Sequence, residues 1–120
     1  MRPRADRSSA PSRAVLGILF ALGDQELHGY GIMKEVEERT GGEVSLLPSS
    51  LYATIKRMLL EGLIEESDHR PDPALDDSRR RYFRLTALGQ TVAQAEARRL
   101  EGLVESARAR RLLGPTRSTS

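Results

Sequence analysis

Four stretches of the chain place apolar residues at helical spacing, and the short stretches between them alternate apolar with polar. Val15, Leu16, Leu19, Phe20 and Leu22 give residues 13–22 a broad apolar face, with Ser12 in position to cap its start. Gly23 and Asp24 break that helix, and Gln25, Glu26 and Leu27 read as a linker. A second helix follows His28 and Gly29 and runs to about Thr40. Its expected buried stripe is Tyr30, Met33 and Val36 with Ile32 beside it, while Lys34, Glu35, Glu37, Glu38 and Arg39 face water. Gly41 and Gly42 stop it. In 43–46, Val44 and Leu46 alternate with polar neighbours and predict a brief strand. Pro48 suits the first turn of a third helix, where Leu51, Ile55, Met58 and Leu59 recur as far as Glu61 and Gly62. Residues 63–67 and 80–85 read as two strands, Tyr82 and Phe83 supporting the second, around a loop with two prolines and four aspartates. Thr86 caps a last helix over 87–113, which Gly114 and Pro115 end. At about 1.5 Å per residue that helix reaches on the order of 40 Å, more than so small a domain needs for itself.

The element order is helix, helix, short strand, helix, hairpin, long helix. The fold class is therefore mainly α with a small β-hairpin (α+β), the plan of a winged helix-turn-helix followed by a long C-terminal dimerisation helix. Residues 1–12, rich in arginine, serine and proline, read as a disordered basic arm. Residues 13–86 form the expected DNA-binding domain, 87–113 the dimerisation helix and 114–120 a flexible tail. The 120 residues leave room for one domain. The longest apolar stretch, 14–22, is about half of what a membrane span needs, so no membrane partner and a cytoplasmic location are expected. Cysteine is absent, which excludes thiolate metal sites and cysteine nucleophiles.

Charge balance alone does not make the chain a polycation: 19 Lys and Arg face 17 Asp and Glu, for a net charge of +2. Any case for nucleic acid rests on where those charges sit. On the third helix the apolar positions point one way and leave Ser49, Ser50, Ala53, Lys56, Arg57 and Leu60 on the other. The small residues permit close approach to a major groove, and Lys56 and Arg57 reach backbone or base edges. The competing reading is an ordinary solvated helix face. Arg79, Arg80 and Arg81 stand on the returning strand of the hairpin, with Arg84 further on, where a wing meets phosphates. Asp68, Asp72, Asp76 and Asp77 share that loop, so the tip either curls away from DNA, pairs with those arginines, or forms a self-neutralising surface.

Tyr30 reads as core with its hydroxyl at the rim. Tyr52 stands beside the recognition face and is open between packing and DNA contact. His28, before a glycine, reads as a turn or cap residue. His69 and its neighbouring aspartates have no helix to fix a ligand spacing, so no metal site is expected. No G-x-S-x-G turn and no phosphate-cradling glycine loop is present, and neither an enzyme nor a cofactor is expected.

Four separated motifs resemble the PadR-type bacterial transcriptional regulators. They are Leu27, His28, Gly29, Tyr30, Gly31 and Ile32; Pro48, Ser49, Ser50, Leu51 and Tyr52; Lys56, Arg57 and Met58 with Glu61, Gly62, Leu63 and Ile64; and Arg81 to Thr86 with Gly89. The resemblance spans about 14–90 in the right order. It implies a winged-helix DNA-binding domain and a homodimer formed by the C-terminal helix. It also implies repression of an operator in double-stranded DNA, released by an effector. The short C-terminal region is similar to the compact branch of the family. Departures are Ser49 and Ser50 where glycine and threonine are common, Ala53 where proline is frequent, and Leu47 where a capping residue would help. The wing tip is also longer and more acidic.

On the last helix, Ala93, Ala97, Leu100, Val104 and Ala107 step by four, three, four and three, a heptad-like seam that Leu88, Val92 and Leu103 widen. With Val15 and Leu19 on the first helix they form the expected dimer contact, which would set two recognition helices about 34–36 Å apart. A cavity lined by leucine and valine between the dimer's helices would take a small apolar or aromatic effector. The alternative function is a winged-helix protein-interaction module without DNA specificity.

Overall fold

The computed structural model describes residues 12–68 and 81–114. The elements run α1 (Arg13–Ala21), β1 (Leu27–His28), α2 (Gly29–Arg39), α3 (Pro48–Leu60), β2 (Ile64–Glu66), β3 (Tyr82–Leu85) and α4 (Ala87–Ala109). The three strands form one antiparallel sheet in the order β1-β3-β2. This is the mainly helical α+β arrangement expected of a winged helix. The basic arm over 1–11, the wing tip over 69–80 and the tail over 115–120 lie outside the described residues.

Three of the four helices begin at a side-chain cap. The Ser12 hydroxyl accepts the Val15 amide at 3.2 Å, His28 Nδ1 accepts the Gly31 amide at 2.9 Å, and the Thr86 hydroxyl accepts the Gly89 amide at 3.0 Å. Each cap satisfies an amide with no partner inside its helix. His28 is thus a cap, one of the two roles expected of it. At the other ends, Leu63 donates to Met58 and Gly42 to Glu37, closing the same reversed turn.

The core gathers one face from every helix. Ile18, Leu19 and Ala21 of α1, Ile32 and Val36 of α2, and Leu51, Ile55 and Met58 of α3 meet Ile64 of β2, Phe83 of β3 and Ala93 of α4. Thr86 ties the start of α4 to the turn after α3, its amide and hydroxyl both donating to the Leu63 carbonyl at 3.1 Å. A Cβ at Gly89 would collide with that same carbonyl, so only glycine lets α4 approach so closely.

The structure corrects the sequence reading in several places. Residues 43–46 are not a strand. The Thr40 hydroxyl donates to the Val36 carbonyl at 2.9 Å and accepts the Val44 amide at 3.0 Å, folding this stretch into a turn. The extra strand is instead β1, in the stretch read as a linker, where Leu27 pairs with Phe83 and His28 with Tyr82. Tyr30 is not core but 53 % exposed, because α2 buries Gly29, Ile32 and Val36 instead. Finally, α4 ends at Ala109 rather than 113. Arg111 takes a φ of 63° and Leu112 donates back to Ala107, so the chain turns before Gly114 is reached.

Candidate nucleic-acid interface

Burying Leu51, Ile55 and Met58 settles which way α3 faces. Ser49, Ser50, Tyr52, Ala53, Lys56 and Arg57 are all exposed. Pro48 opens the helix, and Leu47 at the cap position makes no side-chain hydrogen bond, so side chains do not cover the first turn. Further along, the Thr54 hydroxyl turns inward to the Ser50 carbonyl at 2.8 Å and leaves the outer face clear. Arg57 meets Glu61 one turn on at 3.4 Å with 71 % of its side chain exposed, a contact too long and too wet to hold it. Lys56 pairs with no carboxylate among the described residues.

Tyr52 is both packed and open. Its phenol lies against Gly29 at the start of α2, where a Cβ would overlap it, yet 40 % of the residue is exposed. The ring therefore locks the angle between α2 and α3 while one edge stays at the surface.

The wing root is cationic in sequence but balanced in space. Both Nε and a terminal nitrogen of Arg81 donate to one oxygen of Glu66, at 3.3 and 3.2 Å, and the guanidinium sits 5.3 Å from the Phe83 ring centre. Arg84 lies 2.9 Å from Glu65, its cross-strand neighbour, and 3.6 Å from Glu26. The Glu65 hydrogen bond raises the Arg84 guanidinium pKa above its ordinary value. Arg79 and Arg80, like His69, Asp72, Asp76 and Asp77, fall outside the described residues. The acidic partners at the root are thus glutamates of β2 and of the residue before β1. The adjacent acids Glu65 and Glu66 on β2, opposite a returning segment with arginines at 81 and 84, were the available signal.

The expected dimer residues divide along α4. Val15 and Leu19 of α1, expected at the dimer contact, are buried in the chain's own core. Ala93 is buried against α1, and Val92 is half-buried. Before them Leu88 is 52 % exposed; beyond them Ala97 is exposed, Leu100 and Ala107 are half-buried, and Leu103 and Val104 are 55 % and 43 % exposed. Glu96, nearly buried, is held by Arg99 at 2.8 Å. A groove of about 360 Å³ runs between α1 and α4, lined by Leu19, Phe20, Arg39, Ala93, Gln94 and Ala97. Tyr30 stands at the surface of α2, where it was not expected, with the Lys34 ammonium 5.9 Å from its ring centre. The pairing of Gly29 with an aromatic residue on α3 was the clue to the true phase of α2.

Comparison with known proteins agrees with this geometry. The model of the PadR-like family of transcriptional regulators matches residues 18–95. An uncharacterised 37.1 kDa protein of transposon TN4556 from Streptomyces fradiae is 35 % identical over 72 % of the chain, and protein X of Lysinibacillus sphaericus is 30 % identical over 61 %. The chain spans 24 % and 64 % of the lengths of these two relatives. Among solved structures, a PadR family transcription regulator from Clostridium difficile superimposes with a TM-score of 0.67 at 23 % identity, over 82 % of this chain and 97 % of that one. Bacillus subtilis PadR, solved in complex with operator DNA, superimposes at 0.62 with 23 % identity, over 92 % of this chain and 54 % of that one. No described helix is long and apolar enough to cross a membrane. With a family model matched across most of its winged helix, the chain belongs to the PadR-like family of transcriptional regulators.

Proposed function

We propose that the chain is a dimeric, sequence-specific repressor that reads a pseudo-palindromic operator with α3. The observation that carries this reading is the split of α3 into an anchored apolar face and a free one bearing Ser49, Ser50, Ala53, Lys56 and Arg57. Small residues at the amino end permit close approach, and the two cations follow within two turns. The DNA complex of Bacillus subtilis PadR supports the same partner here. Tyr52 borders the contact, while Arg79, Arg80 and Arg81 of the wing supply flanking phosphate contacts.

Dimerisation falls to α4. Its 23 residues extend about 35 Å, and the distal part carries Leu100, Leu103, Val104 and Ala107 with little of its own chain to cover them. A second copy of the helix is the natural cover. A small apolar or aromatic effector would bind among these helices, and tilting α4 would change the spacing of the two α3 helices and release DNA. The site of action is the bacterial cytoplasm.

The test is a titration against two duplexes of equal length and composition, one from upstream of the protein's own gene and one scrambled. A repressor prefers the first by about a thousandfold or more at one fixed salt concentration. Equal affinity for the two would instead favour a winged-helix module that binds a protein partner.

A further inference from the structure

Four residues of α3 stand opposite its buried face. At about 100° per residue, Ser49, Ala53, Lys56 and Leu60 fall on one line that points away from Leu51, Ile55 and Met58. All four are exposed. The line alternates in kind: Ser49 and Lys56 carry hydrogen-bond donors, whereas the side chains of Ala53 and Leu60 carry neither donor nor acceptor. Leu60 is 80 % exposed, more than any other large apolar residue among those described.

The setting of these two apolar side chains says what they suit. Thr54 turns its hydroxyl back to the Ser50 carbonyl and so brings no polar atom to the crest of the helix. Lys56 lies between Ala53 and Leu60 and pairs with no carboxylate among the described residues. A positive charge between two apolar side chains matches a surface that is anionic at its margins and apolar at points on its floor. The major groove is such a surface wherever thymine stands, because thymine displays its C5 methyl group there.

We infer that Ala53 and Leu60 set the base preference of α3, each resting on the methyl group of a different thymine in the operator half-site. This rests on the DNA-binding reading above and names what that helix selects. Selection works by penalty as well as by attraction. A methyl set against a methyl removes both from water. The same side chain over guanine N7 and O6, or over the cytosine amino group, would strip water from a polar edge and return no hydrogen bond. Ser49 and Lys56 discriminate less, since a hydroxyl serves donor and acceptor edges alike and an ammonium serves guanine or phosphate. The apolar pair is therefore the selective part of the crest.

The experiment enriches the tightest duplex from a randomised library with the full chain, then remakes that duplex with deoxyuridine in place of one thymine at a time. Uracil keeps every hydrogen-bonding group of thymine and lacks only the methyl. Fluorescence anisotropy at one fixed salt concentration gives the ratio of thymine to uracil affinity within each variant, a ratio that partial unfolding of the variant leaves unchanged. For the wild type, two replacements in each half-site should each weaken binding about fourfold, the worth of one buried methyl. Ala53→Gly should abolish the loss at one of the two positions and Leu60→Ala the loss at the other. Lys56→Ala should weaken every duplex and keep both ratios. Uracil tolerated throughout by the wild type, or ratios unchanged by Ala53→Gly or by Leu60→Ala, overturns the assignment while leaving α3 to read DNA by its polar residues. A wild-type chain that enriches no sequence removes the operator reading itself.

Discussion

The outer face of α3 and the root of the wing carry similar cations yet differ in what those cations are doing. On α3, Lys56 pairs with no carboxylate among the described residues and Arg57 is tethered to Glu61 only loosely, at 3.4 Å. On the wing, Arg81 is gripped by Glu66 through two nitrogens, and Arg84 lies between Glu65 and Glu26. Counting basic residues would rank the wing higher. Counting charges free to meet a phosphate ranks α3 above the wing root, because Arg81 and Arg84 must first trade a carboxylate for the duplex. What a basic patch offers a polyanion is its unspent charge.

Removing the anchor beneath α3 tests the comparison most severely. Ile55 is 3 % exposed, and Ile55→Ala should cost about 2–4 kcal/mol of stability, visible as a lowered urea midpoint. The same truncation at Lys56, one residue away on the opposite face, should change stability by less than about 0.5 kcal/mol. Similar losses at both positions would mean that the two faces are not distinct. A smaller effect sharpens the wing side. Glu66→Gln frees Arg81 and removes a negative charge, so affinity for DNA should rise on the order of threefold, within the range of exposed ion pairs. Weaker binding would show that Glu66 positions Arg81 for its phosphate instead of competing with it.

Much of this architecture was legible in the residues because repeated apolar spacing marks a helix wherever caps agree with it. Ser12, Thr86 and the glycines after α2 and α3 marked boundaries that the structure keeps. What escaped was decided by contacts between distant segments. A two-residue strand such as β1 has no period to reveal it and exists because β3 offers a free edge. The phase of α2 turned on Gly29, whose missing side chain matters only once Tyr52 is placed against it. Val15 and Leu19 have the spacing of any apolar helix face, and only the packed core shows that both are buried within one chain. Likewise, the exposed cations of α3 followed from its spacing, whereas the paired arginines at the wing root required the register of β2 on β3.

Everything turns on whether the free face of α3 holds the duplex. Its most direct test replaces Lys56 and Arg57 together by alanine and titrates the variant into the upstream duplex alongside the wild type, with thermal melts run in parallel. Operator binding should disappear while the melting curve stays where it was. Undiminished affinity in a folded double variant would contradict the assignment and move the DNA-binding surface elsewhere on the molecule.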